Sequence, residues 1–251
     1  MTDDLETWKR ARLAALTADD GWLVVTDRVV LRMGAQTVGS AHGNDIVIRS
    51  ASGHLGSLTL TAQGGWLQMP GGVALPFVAK PDALPQLCTG SLLLELHTDA
   101  GETALRVRDL ALPRDVRLTY FPADPAWIIR ADWLALPIAQ SQIIDQTGGA
   151  AITVPLTHTA RFHHLGQEIA LLATHWKAGK PMFVIRDATS GRQTYAASRF
   201  LIGDDVADGQ ITLDFNRAFS PPCAFSDFAI CPLPPRSNIL PFAVMAGEMW
   251  P

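Results

Sequence analysis

From Gly21 onward the chain repeats with a period of about two, and that period limits what it can fold into. WLVVTDRVVLRMG, QTVGSA, NDIVIRS, GSLTLTA, GWLQM, ALPFVA, SLLLELHTD and ALRVRDL are short runs rich in Val, Leu, Thr and Trp, each bounded by Gly, Asn or Asp. Turn signals roughly every 8–12 residues favour an antiparallel sandwich or barrel over alternating strands and helices. Gly64-Gly65 and Gly71-Gly72 suit hairpin turns that need positive φ. One helix precedes this region. Asp3 can cap it with Glu6 three residues on, and Leu5, Trp8 and Leu16 recur at helical spacing until Asp19-Asp20-Gly21. Such a stripe is expected to pack on the first β unit.

A second β unit follows Gly148-Gly149, through ITVPLTH, ARFHHLG and QEIALLATHWKAG. FVIRDATSGRQTYAASRF reads as a hairpin with its turn at residues 187–191, Gly191 taking the left-handed position and Tyr195 on the returning strand. Residues 210–215 alternate Ile211, Leu213 and Phe215 to one face. Asp214 and Asn216 then share the other face, about 7 Å apart. YFPADPAWIIRADW, with two prolines and four aromatics, reads as the crossing between the units. The expected fold is therefore mainly β: two packed antiparallel units, residues 1–125 with the helix and residues 126–251, the second ending in a proline-rich strap.

Hydrophobic residues make up 48% of the chain and charged residues 18%, enough apolar material for a real core. The net charge of −4, with basic residues scattered, excludes the basic stripe that nucleic acid or anionic lipid requires. No stretch approaches the ~20 apolar residues of a membrane-spanning helix. The start, MTDDLETWKR, lacks a signal-peptide pattern, and three cysteines, an odd count, fit a reducing cytoplasm. There is no GxSxG elbow, phosphate loop, dinucleotide fingerprint or HExxH, so no cofactor is assigned.

Three groupings can carry chemistry. Arg199, one strand away from Asp214 and Asn216, can offer a forked cation amid hydrogen-bonding groups, with Tyr195 nearby. The competing reading is an internal ion pair that anchors the tail by satisfying its backbone carbonyls. Cys223 and Cys231, in the loop that would wall this site, read first as small buried side chains. A zinc site would need His158, His163, His164 or His175 to supply further ligands, and no metal is assigned. Cys223 or Asp214 with one of these histidines would make a hydrolytic pair. The segment CPLPPRSNILP can be a polyproline ligand for a partner, or an ordered strap packed through Leu233, Ile239, Leu240 and Phe242. The expected function is binding of a small polar or anionic molecule around Arg199, Asp214, Asn216 and Tyr195. A hydrolase and an interaction protein with a dimer surface are the alternatives.

Two resemblances accompany these residues. VGSAHGND followed by GHLGSLTL resembles the phosphothreonine-binding forkhead-associated sandwich, although Ser40 stands where that pattern has its phosphate-binding arginine, and Ser52 and His54 lie closer than its Ser-x-x-His. FVIRDATSGRQTYAASRFL, LDFNRAFSPPCAF and CPLPPRSNILPFAVMAGE together resemble a bacterial and archaeal family catalogued as domain of unknown function 1684. YFPADPAW and the N-terminal WKRAR are similar to it as well. That resemblance spans most of the chain and implies no activity.

Overall fold

A computed structural model describes residues 2–81, 83–99, 101–149 and 151–250. The protein is mainly β, built from antiparallel sheets, with an N-terminal α-helix, Thr2–Thr17. Its contacts divide it into two compact units, Ala15–Asp115 and the combination of Met1–Ala14 with Val116–Pro251.

In Ala15–Asp115, one five-stranded sheet runs in the order Val25–Val30, Glu102–Asp109, Leu92–Asp99, Ala83–Thr89, Val78–Lys80. The other runs Ile46–Val47, Gly34–Gly39, Gly56–Thr61, Gly64–Gln68, Ala74–Pro76. The period-two pattern does what it promised: Leu58, Leu60 and Leu67 from one sheet meet Leu94, Leu96, Leu105 and Val107 from the other in one core. Gly34–Gly39 and Ile46–Val47, by contrast, pair in parallel. Arg108 and Glu95 form a buried ion pair on this unit and floor a cleft of about 400 Å³ whose rim carries Asp19 and Asp20.

The other unit holds a seven-stranded sheet, ordered Gln167–Leu172, Ala151–His164, Ile128–Asp145, Gln210–Asp214, Arg199–Ala207, Lys180–Ile185, His175–Lys177. The long strand Ile128–Asp145 binds Gln210–Asp214 through its first residues and Ala151–His164 beyond them, with an irregularity between Ala135 and Gln140 that bends the sheet. Trp127, Phe162, Phe183, Ile211, Leu213 and Phe215 fill the core. Trp127 of YFPADPAW belongs to this core. Trp127 packs on Phe215 and Phe242, while Tyr120 meets Trp8 edge-on.

The stripe of the helix, expected on the first β unit, divides: the buried Leu16 falls in Ala15–Asp115, whereas Trp8 packs against Tyr120 and Phe219. Arg12 donates to the Ser220 carbonyl at 2.8 Å and pairs with the fully buried Glu248 at 3.1 Å. Sequence periodicity marks which face of a helix is apolar but says nothing of which sheet receives it.

The proline-rich segment is an ordered strap. Leu233 N donates to Asp145 O, and Leu240 N to Arg186 O. Asn238, fully buried, donates to Leu172 O and Val184 O and accepts from Leu172 N. One amide therefore stands in for a strand between Gln167–Leu172 and Lys180–Ile185. Among the described residues no helix is long and apolar enough to cross a membrane.

Candidate functional site

The strands Lys180–Ile185 and Arg199–Ala207 pair as the hairpin pattern predicts, Ile185 opposite Arg199. The link between them is a long loop rather than a tight turn, and Tyr195 lies in that loop, not on the returning strand. Side chains take over from the sheet there. Asp187 Oδ1 accepts from Thr189 N at 2.8 Å, from Thr189 Oγ1 at 2.6 Å and from Val244 N at 3.1 Å. Since the Thr189 hydroxyl proton goes to Asp187, the 2.9 Å contact with Thr194 has Thr194 as donor. The Thr189 carbonyl gathers the amides of Arg192, Gln193 and Thr194. Gly191 sits at φ 77°, the left-handed position expected for it.

Arg199 is the residue this loop hangs from. It is 1% exposed. It donates to Asp187 Oδ2 at 2.8 Å, to Val244 O at 3.1 Å and to Ala246 O. Burial pushes its pKa down and the Asp187 carboxylate pushes back. Its partner is thus Asp187, which the strand-spacing argument passed over in favour of Asp214. Two of its acceptors are tail carbonyls, so the anchoring role describes its hydrogen bonds.

Asp214 and Asn216 are together, but elsewhere. Asp214 ends its strand and caps the 3-10 turn Phe215–Arg217, accepting from both Asn216 N and Asn216 Nδ2 at 3.1 and 3.0 Å. Asn216 in turn clasps Asp124, accepting from its amide and donating to its carbonyl, each at 3.0 Å. The crevice they share with Leu5, Ala123, Ile128 and Arg217 has room for about 40 Å³, little more than bound water needs.

Tyr195, Cys223 and Cys231 are brought together. The Tyr195 hydroxyl donates to Cys223 O at 2.9 Å, and Cys223 N donates to Cys231 Sγ at 3.3 Å. Cys231 is buried, Cys223 is half-buried, and both are free thiols. Thr147 pins Cys231 from both sides, its Oγ1 accepting from Cys231 N and its own N donating to Cys231 O, each at 2.9 Å. The Cys231 thiol beside Cys223 draws its pKa down to about 7, against the opposing effect of burial and with help from the Tyr195 and Thr147 hydroxyls. The same contact, with burial, pushes Cys231 up. Burial and the adjoining Cys223 likewise raise Tyr195.

Tyr195 has a second surface. Its ring meets Trp250 edge-on at 5.5 Å, and Trp250 meets Phe225 at 5.2 Å. Trp250 N donates to Gln193 O, which ties the end of the strap to the loop. Tyr195, Trp250, Gly191, Arg192, Thr194 and Ala196 enclose an open cleft of about 210 Å³. Arg192, Thr147 and Trp250 escaped the sequence reading; a conspicuous Trp next to the chain end was the one signal available for Trp250.

Three of the four candidate histidines are engaged elsewhere, and His163 is exposed. His158 bonds Thr157 and stacks on Trp133, His164 lies between Trp127 and Phe242, and His175 bonds Thr174. The bonds described above for Cys223 and Asp214 go to other groups. Among the described residues no cluster of three or more His, Cys, Asp or Glu side chains stands ready for a metal ion.

Residues 116–249 match a family profile described as "Protein of unknown function (DUF1684)". Among solved structures, an uncharacterized protein of Haloarcula marismortui, determined by solution NMR, is 34% identical over 53% of this chain and 76% of that one, with a TM-score of 0.44. No curated protein matches the chain.

Proposed function

Because the chain belongs to the DUF1684 family, whose members are described as proteins of unknown function, its role has to be argued from the site, and we propose that it binds a small polar or anionic molecule in the cleft walled by Tyr195 and Trp250. The observation that carries this reading is Arg192, exposed on the lip of the same cleft. A guanidinium beside two aromatic faces suits a carboxylate or phosphate carried on a flat body. The larger cleft on Ala15–Asp115 is less suited to an anion, since Asp19 and Asp20 line it and Glu95 already neutralises Arg108.

In this reading Arg199 is a positioning residue. It holds Asp187, Asp187 holds Thr189, and Thr189 receives the bond from Thr194, which lines the cleft. Asp214 and Asn216 contribute by fixing the 3-10 turn Phe215–Arg217, not by touching the ligand. The setting consistent with two free, adjacent thiols is a reducing compartment.

Thermal shift with a panel of aromatic carboxylates and phosphate monoesters tests the proposal. A ligand at a hundred times its Kd adds about 2.7 kcal/mol of stability. The expected result is a rise in melting temperature for at least one class that Arg192→Ala abolishes. A panel without effect on the wild type, or a shift untouched by Arg192→Ala, rules the cleft out.

A further inference from the structure

We propose that Cys223 and Cys231 form a peroxide-oxidisable dithiol, in which the outer Cys223 is attacked and the inner Cys231 resolves it to an intramolecular disulfide. The inference stands apart from the ligand reading and needs nothing bound in the cleft.

Geometry is the first argument. With Cys223 N only 3.3 Å from Cys231 Sγ, bond lengths keep the two α-carbons within about 7.5 Å of each other, at or near the roughly 4.4–6.8 Å window of a disulfide. Little of the backbone has to move. Pro222 opens the 3-10 turn Pro222–Ala224 that carries Cys223, Ser226 ties the middle of the loop through Phe228 N and Ala229 N, and Thr147 clamps Cys231 at both its amide and its carbonyl.

Exposure supplies the order of events. Cys231 is 2% exposed and cannot meet an oxidant first, whereas Cys223 is only half-buried. A role limited to packing would explain Cys231, whose sulfur satisfies an amide. It leaves unexplained why a second, more accessible thiol is held beside it. Thiolate character points the same way, since the Cys231 thiol beside Cys223 draws its pKa down to about 7.

The chemistry balances. The Cys223 thiolate attacks one peroxide oxygen; an S–O bond forms as the O–O bond breaks, and hydroxide or alkoxide leaves. The sulfur is oxidised by two electrons to sulfenic acid and the peroxide is reduced by two. Cys231 sulfur then attacks Cys223 sulfur. The S–S bond forms, the S–O bond breaks, and the departing hydroxide takes the Cys231 proton and leaves as water. A dithiol reductant returns both thiols by exchange.

The rate expected is modest but distinct. At pH 7 a thiol with a pKa of about 7 is half ionised, against about one part in a hundred for an ordinary thiol near 9. Its lower intrinsic nucleophilicity gives back close to tenfold, leaving an advantage of roughly fivefold.

The test treats the full chain with hydrogen peroxide in a Cys88→Ser background, which removes the exposed third thiol. The expected result is a mass loss of about 2 Da, mapped to a peptide joining Cys223 to Cys231 and reversed by dithiothreitol, forming about fivefold faster at pH 7 than in the guanidinium-unfolded chain. Cys231→Ser should convert this product to a dimedone-trapped sulfenic acid on Cys223, and Cys223→Ser should leave Cys231 unmodified. Two free thiols after peroxide, direct passage of Cys223 to sulfinic acid in the presence of Cys231, or disulfides only between chains would each overturn the proposal. If the Cys231 variant fails to fold, the mass and mapping of the Cys88→Ser protein still decide the matter.

Discussion

Arg199 shows how much one buried cation can organise. Its donors on Asp187, Val244 and Ala246 join the loop after Lys180–Ile185 to the last turn of the tail. Removing either member of such a pair strands the other charge in the interior, and Arg199→Ala is expected to cost about 3–5 kcal/mol, read as a fall in the urea midpoint. Asp187→Ala should cost a similar amount and the double mutant far less than the sum, because both delete the same pair. Protonation gives a second prediction at this scale. Burial lowers the pKa of His175, so the unfolded chain takes up its proton first. Stability from this residue is complete above about 6.5, the ordinary histidine value, and is lost as pH falls below it. Cys223 works in the same sense at higher pH. Its folded pKa of about 7 lies below the ordinary thiol value, so its contribution is full above pH ~9 and disappears as pH falls through 7. Above pH ~9 the raised Cys231 and Tyr195 reverse the trend, since they ionise first in the unfolded chain. Urea midpoints between pH 5 and 10 should therefore rise through both lower windows; His175→Gln should flatten the first and Cys223→Ala the second.

Elements here are held by backbone positions as much as by apolar faces. The tail reaches Glu248 only by passing Gly247 at φ 83°, where an added Cβ would lie 2.6 Å from Ala218 O and 2.7 Å from Phe215 O. Gly247→Ala combines left-handed strain with a backbone clash that no rotamer relieves. It should cost about 2 kcal/mol or more and loosen the strand Glu248–Met249 from Thr119–Tyr120. The turn between Ala151–His164 and Gln167–Leu172 offers the opposite case. Leu165, 69% exposed, holds φ 49° ahead of Gly166, the arrangement in which asparagine is favoured. Leu165→Asn should raise the melting temperature, by about 0.5–1 kcal/mol of stability, without altering the cleft. Part of this was legible beforehand. Alternating Ile211, Leu213 and Phe215 marked a strand and its buried face, and Gly191 marked a left-handed position, because both follow from local geometry. The partner of Arg199 was not legible. Asp187 and Asp214 are each a short loop or strand away in sequence, and which carboxylate meets the guanidinium is fixed by a loop whose path depends on Thr189 and the returning tail.

At the scale of the whole chain, the same division between local and distant information explains where the reading held. Period two and turn spacing were enough for a mainly β protein, because every strand reports its own face. The receiving surface of the helix Thr2–Thr17 was not, since Trp8 and Arg12 find Tyr120, Phe219, Ser220 and Glu248 more than a hundred positions away. Tyr195, Cys223 and Cys231 come together where the loop before Arg199 meets the strap, whereas Arg199 and Asp214 part because their neighbours are set by different folds of the backbone. Each unit, meanwhile, has a core of its own: Leu58, Leu67, Leu94 and Leu105 in one, Phe183, Leu201, Ile211 and Phe215 in the other. Damage to the Arg199–Asp187 pair should therefore stay local. In Arg199→Ala, amide hydrogen exchange is expected to quicken across Lys180–Ile185, Arg199–Ala207 and the tail, whose bonds converge on that guanidinium, while Gly56–Thr61 and Leu92–Asp99 keep their wild-type protection. Equal loss of protection in both cores would mean that the two fold as one cooperative body and that the pair at Arg199 supports the whole of it.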